Sequence, residues 1–222
     1  MQAHSIAIPL TCLVKAGGGL LDSMGRRSIH SPEELRQRIL EAAQGIIERD
    51  GLVGLSAREV ARLIGYSPGT LYNIFESLDH VLLTLQVQLV SNAHAAMLAA
   101  PQSGDVHKRI DALTLAYIGF ALDNKKMWNL LFTHNLPIGM NAPEALHENI
   151  NAISAIVGEA LEPHMPGATS ADIDMAARAL WAGVHGITAI AVTEKGLKMT
   201  PATAQKFAAL LTSTYVKGLM QT

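Results

Sequence analysis

The sequence predicts an all-α chain: an N-terminal three-helix bundle with a helix-turn-helix, followed by a larger helical domain. Three observations carry this. Beyond Ser31, apolar residues recur at spacings of three and four. Ser31-Pro32, Ser67-Pro68 and Thr200-Pro201 each join a cap-type residue to a proline at a first helical position. No stretch alternates with the period of two that a strand requires.

The elements follow in order. Ser31 with Glu34 forms a capping box, and Leu35, Ile39, Ala42 and Ile46 make one buried stripe that ends at Gly51. Ser56 and Glu59 form a second capping box, with Leu55 and Val60 at the staple positions, and Gly65 stops this helix after about three turns. Ser67 is the third cap, and its brief helix ends near Phe75. A long helix runs from about Leu78 to Ala100, and PQSGD breaks it. Val106, Ile110, Leu113, Tyr117 and Phe120 define the next, and Met127 to His134 is a short one before the loop LPIGMNAP. Leu146, Ile150, Ile153, Val157 and Leu161 mark another. Ser170 is expected to cap a helix that carries Asp172 and Asp174 near its positive end and runs to Gly196. Thr200-Pro201 opens the last. The expected domains are an N-terminal extension (1–28), a helix-turn-helix domain (29–80) and a helical body (81–222). Residues 1–23 are expected to be a floppy arm or lie upstream of the natural start, because Met24 opens a stretch that reads like a beginning.

Composition narrows the function. Apolar residues make up 49% of the 222, enough for a sizeable core. A net charge of −2 gives no global cationic surface for nucleic acid. One cysteine, Cys12, excludes an internal disulfide framework and a thiolate zinc cage, and fits a reducing cytoplasm. With no run of about 18 apolar residues, no membrane span is expected. Nine histidines lie scattered without compact ligand spacing, and neither a phosphate loop nor a nucleophile elbow occurs. No catalytic residue, metal or cofactor is therefore expected.

The stretch GYSPGTLYNIF, residues 65–75, carries the functional signal. Gly65 suits a left-handed helix end, and Ala61 is small enough for close helix approach. Leu71 and Ile74 point to the core, leaving Pro68, Gly69, Thr70, Tyr72 and Asn73 outward. Small and hydrogen-bonding residues at a helix start are what a helix entering a DNA major groove presents. Arg58 and Arg62, one turn apart, can flank the groove, and Arg26 and Arg27 would lie on the arm. The same features also occur in an ordinary helical corner. Residues 24–80 carry seven arginines against eight acidic residues, so any basic footprint is local.

Residues 35–83 resemble the DNA-binding domain of TetR-type (tetracycline-repressor-like) transcriptional regulators. Ser56, Ala61, Gly65, Gly69, Thr70, Leu71, Tyr72, Phe75 and Ser77 carry the match. Ile74 and Leu78 depart from it, standing where the family usually has histidine and lysine. The resemblance implies that Ser56, Thr70 and Tyr72 hold phosphates, that Arg58, Pro68, Gly69 and Asn73 lie nearest base edges, and that Ser67 belongs to the same surface. It further implies a homodimeric regulator, most simply a repressor, on palindromic operator DNA, released by a small-molecule effector.

In the body, Met127, Trp128, Phe132, His134 and Met140 cluster around a short helix and loop, and adaptable methionines and aromatics are common pocket linings. Trp181 and His185 lie one turn apart among small residues; they read first as structural and second as pocket residues. Trp181, His185 and Gly186 also resemble the Trp-His-Gly signature of one TetR subgroup. That likeness implies pairing through 171–195 and 201–220 in a four-helix dimer interface. The alternative is a helical small-molecule-binding protein or enzyme with a degenerate helix-turn-helix, favoured by Ile74, Leu78 and the missing basic excess. A purely structural dimerisation module is a weaker third reading.

Overall fold

The computed structural model describes residues 30–101, 104–193 and 199–220. Among these, every regular element is helical: α1 (Pro32–Asp50), α2 (Ala57–Ile64), α3 (Pro68–Ile74), α4 (Leu78–Leu98), α5 (Val106–Asp123), α6 (Lys125–Thr133), α7 (Glu144–Leu161), α8 (Ser170–Val192) and α9 (Pro201–Leu219), with short 3-10 turns at Leu52–Gly54 and Glu162–His164. The expectations for 1–28, including Met24, Arg26 and Arg27, lie outside the described residues.

Local chemistry sets the helix ends. Ser31 and Glu34 close a full capping box on α1. Ser56 accepts the Glu59 N–H at 3.2 Å, but the Glu59 carboxylate turns away to Arg62, so the second box is only half made. The α8 cap is Thr169 rather than Ser170. Its hydroxyl takes the Asp172 N–H, and the Asp172 carboxylate takes the Thr169 N–H at 2.9 Å, because residues 169 and 172 have the spacing a reciprocal box needs. Helix α8 ends at Val192, where the Thr193 N–H closes on Ala189; the expected end at Gly196 lies outside the described residues. Ser77 and Asp105 cap α4 and α5 through the N–H groups of His80 and Lys108.

Helices α1, α2 and α3 form a small bundle around Ile39, Ile46, Val60 and Leu71, all fully buried. Each such side chain contributes about 1.5–3 kcal/mol of burial. Helix α4 enters this bundle through Val81, Leu82 and Leu85, then continues between α5 and α7 in the body. The expected boundary at 80/81 therefore falls inside its first turn. In the body α8 packs on α7, α9, α5 and α6, and α9 packs on α5 and α8. Tyr215 on α9 donates to the Ala176 carbonyl of α8 at 2.9 Å, and Thr212 donates to Asp111 of α5 at 3.0 Å. The buried apolar side chains form one connected interior from Ile39 to Val216. By length and hydropathy α4 and α8 could each cross a membrane, but 50% and 39% of their most apolar windows are covered by the rest of the protein, as in core helices of a bundle.

Candidate nucleic-acid interface and interior aromatic site

Gly65 (φ 78°, ψ 30°) is left-handed, and its N–H returns to the Ala61 carbonyl. This lets α2 stop and α3 restart at a new angle two residues later. Ala61 and Leu71 seal the junction, at 1% and 0% exposure. Tyr66 adds a tie that the sequence did not announce: its hydroxyl meets His30 Nδ1 at 2.7 Å, pinning the turn to the entrance of α1.

The outer face of α3 is uncovered. Pro68, Gly69, Tyr72 and Asn73 are exposed, as is Ser67, while Thr70 is half-buried with its hydroxyl 3.3 Å from that of Ser67. Ser67 is the N-cap of α3 as expected, with extended backbone, but its side chain makes no bond to the helix backbone. Ser56 and Arg58 are exposed at the start of α2. The arginines divide sharply. Arg62 is clamped by both carboxylate oxygens of Glu59 at 2.7 and 2.8 Å, and this hydrogen bonding holds the Glu59 carboxyl below its ordinary range. Arg49 is paired with Asp50 at 2.6 Å. Arg36 lies over the Phe75 ring at 4.4 Å. Arg58 has no ion pair or hydrogen bond among the described residues, so of the two expected flanking arginines it alone is uncommitted. Ile74 and Leu78 are half-buried against the core.

The seven residues expected around a pocket separate into groups. Trp128, Phe132, Trp181 and His185 come together, joined by Tyr117 and Phe120 from α5. Trp181 stacks on His185 (5.0 Å, 24°), Phe132 lies 5.0 Å from the same imidazole, and Tyr117 meets Trp128 edge-on at 5.2 Å. The Tyr117 hydroxyl and His185 Nδ1 share a hydrogen bond of 2.6 Å. Burial raises the Tyr117 phenol far above its usual range and lowers the His185 imidazole, so both are neutral near pH 7. The Trp181 N–H lies beside the Tyr117 oxygen and slightly favours its ionised form, yet lacks hydrogen-bond geometry; the buried Trp128 N–H also lacks a partner.

Against this cluster lies a cavity of about 20 Å³, walled by Met97, Ile110, Leu113, Val157, Leu180 and Val184, with Thr114, Tyr117 and Trp181 completing it. Tyr117 and Phe120 looked like ordinary stripe residues in the sequence. The available signal was a phenol in an aliphatic row, which needs a buried partner.

The other three expected residues lie elsewhere. His134 turns toward α4: Nε2 meets Asp79 Oδ1 at 2.9 Å, and Nδ1 meets the Gln86 amide nitrogen at 3.0 Å. That amide also donates to the Leu130 carbonyl, so Nδ1 is the acceptor and Nε2–H donates to Asp79. Met127 is buried in the core, and Met140 is half-buried in the following loop. No three metal-ligating side chains gather among the described residues.

Residues 110–214 match the family model of the tetracyclin repressor-like C-terminal domain. No curated protein sequence matches the chain. A solved protein of unknown function from Rhodococcus sp. RHA1 is similar over 89% of this chain and 100% of its own, with 25% identity and a TM-score of 0.66. A TetR transcriptional regulator from the same strain covers 83% of this chain and 97% of its own at 18% identity, TM-score 0.61. The TetR family transcriptional regulator PfmR from Thermus thermophilus covers 81% and 97% at 19% identity, TM-score 0.57. The latter two, at their low identity, speak to the fold. The helix-turn-helix lies ahead of the matched domain, and this two-part arrangement is similar to that of TetR-type regulators.

Proposed function

We propose that the chain is a cytoplasmic repressor that binds palindromic operator DNA as a homodimer and lets go when a small molecule occupies the body. The observation that carries this reading is the bare surface of α3, with Arg58 uncommitted beside it. In this reading Ser56, Thr70 and Tyr72 hold phosphates, while Arg58, Pro68, Gly69 and Asn73 approach base edges. Few free cations mean few displaced counterions, so binding depends only shallowly on salt.

Support for the dimer comes from α8 and α9. Met175, Ala179, Ala182, Gly186 and Ile190 form one exposed stripe on α8, and Phe207 and Leu210 are exposed on α9. A second copy would cover these and place two reading helices about one DNA turn, or a longer symmetric spacing, apart. The effector acts by binding two dimer shapes unequally. Its site is the ring cluster of Tyr117, Trp128, Phe132, Trp181 and His185, and α4 links that body to the head.

The test is selection of bound sequences from a random DNA pool. A palindrome enriched by the native chain and lost with Tyr72→Ala and Arg58→Ala supports the repressor. If no sequence is enriched, the chain is instead a small-molecule carrier with a degenerate head.

A further inference from the structure

We infer that the effector is an uncharged, mainly apolar molecule of about one flat ring, carrying a hydrogen-bond acceptor for the Trp181 indole. This rests on reading the ring cluster as the effector site.

The charge class follows from the walls. The cavity lining is aliphatic or thioether apart from Thr114, Tyr117 and Trp181, and contains no charged side chain. The two titratable groups at its edge, Tyr117 and His185, hydrogen-bond one another and are both held neutral by burial. Charges on the surrounding helices are committed elsewhere: Arg109 to the Glu159 carbonyl, Asp111 to Thr212, and Arg178 to Asp174. A carboxylate entering here would leave water and meet no cation, and an ammonium would meet no anion. That loss of hydration is uncompensated.

The polar complement follows from the unmade bond. Trp181 lines the cavity, and its buried indole nitrogen has no acceptor. Buried donors in folded proteins nearly always find one. His185 Nδ1 is taken by the Tyr117 hydroxyl, and the Tyr117 oxygen lies beside the Trp181 N–H without bonding geometry, so an acceptor oxygen or nitrogen brought in by a ligand would satisfy the indole. A ketone, ester or ether supplies such an acceptor, and a plain hydrocarbon does not. Size and shape come from the rings. The present cavity of about 20 Å³ is roughly the room one water needs, so a ligand enters by spreading its walls. Phe132, 38% exposed against His185, stands at the solvent edge of the cluster, and the Trp181–His185 stack offers flat faces.

The chain carries its own probe, since its two tryptophans, Trp128 and Trp181, both belong to the cluster. The experiment titrates the full-length protein with acetophenone, ethylbenzene, benzoate and benzylammonium and follows tryptophan fluorescence. Acetophenone should give saturable quenching, ethylbenzene should bind at least about tenfold more weakly, and neither ion should saturate. Trp181→Phe should bring acetophenone and ethylbenzene to equal affinity. Tyr66→Phe, in the head and outside the ring cluster, should preserve their difference. Equal binding of either ion, equal binding of the hydrocarbon by the native chain, or no saturable binding of acetophenone overturns the inference. The native chain alone decides these points if Trp181→Phe fails to fold. Adding each compound to the complex with the selected DNA tests the other reading separately. If acetophenone binds as expected but leaves DNA affinity unchanged, the ligand class stands and the effector role fails. If benzoate releases DNA, the role stands and the class fails.

Discussion

Gly69 is the second residue of α3, exposed in the middle of the proposed reading face, and Gly69→Ala separates stability from recognition. A Cβ built there meets nothing nearer than Ser67 Oγ at 3.6 Å, an ordinary contact, and the backbone is not left-handed. Nothing in the folded chain opposes the methyl. Alanine is preferred over glycine in a helix by up to about 1 kcal/mol, which for a chain of this size raises the melting temperature by about 2–4 °C. In the proposed complex the same methyl would lie between the helix backbone and the duplex. Displacing that contact should cost at least about 1.4 kcal/mol, or tenfold in affinity. Thermal melting by circular dichroism and fluorescence anisotropy on the selected palindrome, at fixed salt, read the two effects. A variant with raised melting temperature and DNA affinity within twofold of native would refute the placement of this face on DNA. A melting temperature several degrees lower would refute the open surroundings of the helix start.

Three further outcomes are expected. Gly65→Ala has open space for its Cβ, but a φ of 78° imposes strain of about 1–2 kcal/mol, so urea unfolding should show a net loss near 1 kcal/mol. His134→Ala leaves Asp79 and Gln86 without their shared partner and should cost roughly 2 kcal/mol in the same assay; Asp79→Asn should cost less, since that side chain keeps 33% of its surface in water. Burial holds the folded His185 below its ordinary 6.5, so as pH falls the unfolded chain takes the proton first. Stability from this group is therefore intact above 6.5 and declines below it until the folded imidazole also protonates. Melting temperatures recorded between pH 7.5 and 5 should fall, and His185→Gln should flatten that decline.

The head was legible because its determinants are local. A cap, a proline, a left-handed glycine and a small alanine act within a few residues of themselves, and Ser31, Gly65 and Pro68 fall where their chemistry puts them. Errors arose where two local options compete. Thr169 and Ser170 are both cap types, and the reciprocal bond to Asp172 decides for the first. Glu59 could serve its own cap or Arg62, and the bidentate pair wins. The interior site was only half legible, because it is assembled from distant segments. Tyr117, Trp128 and His185 meet across α5, α6 and α8, a relation that helical periodicity does not encode. Nearness in sequence instead grouped His134 with Trp128. They are six residues apart, yet His134 follows the end of α6 and turns to Asp79 on α4.

The unbroken interior from Ile39 to Val216 has a thermodynamic consequence. Because head and body share this interior, heat should take the chain apart in one cooperative step. A ligand lodged beside Trp181 then protects the distant turn at Gly65 through mass action alone. At a hundred times its dissociation constant that protection is about 2.7 kcal/mol, shared by every residue whose exposure requires global unfolding.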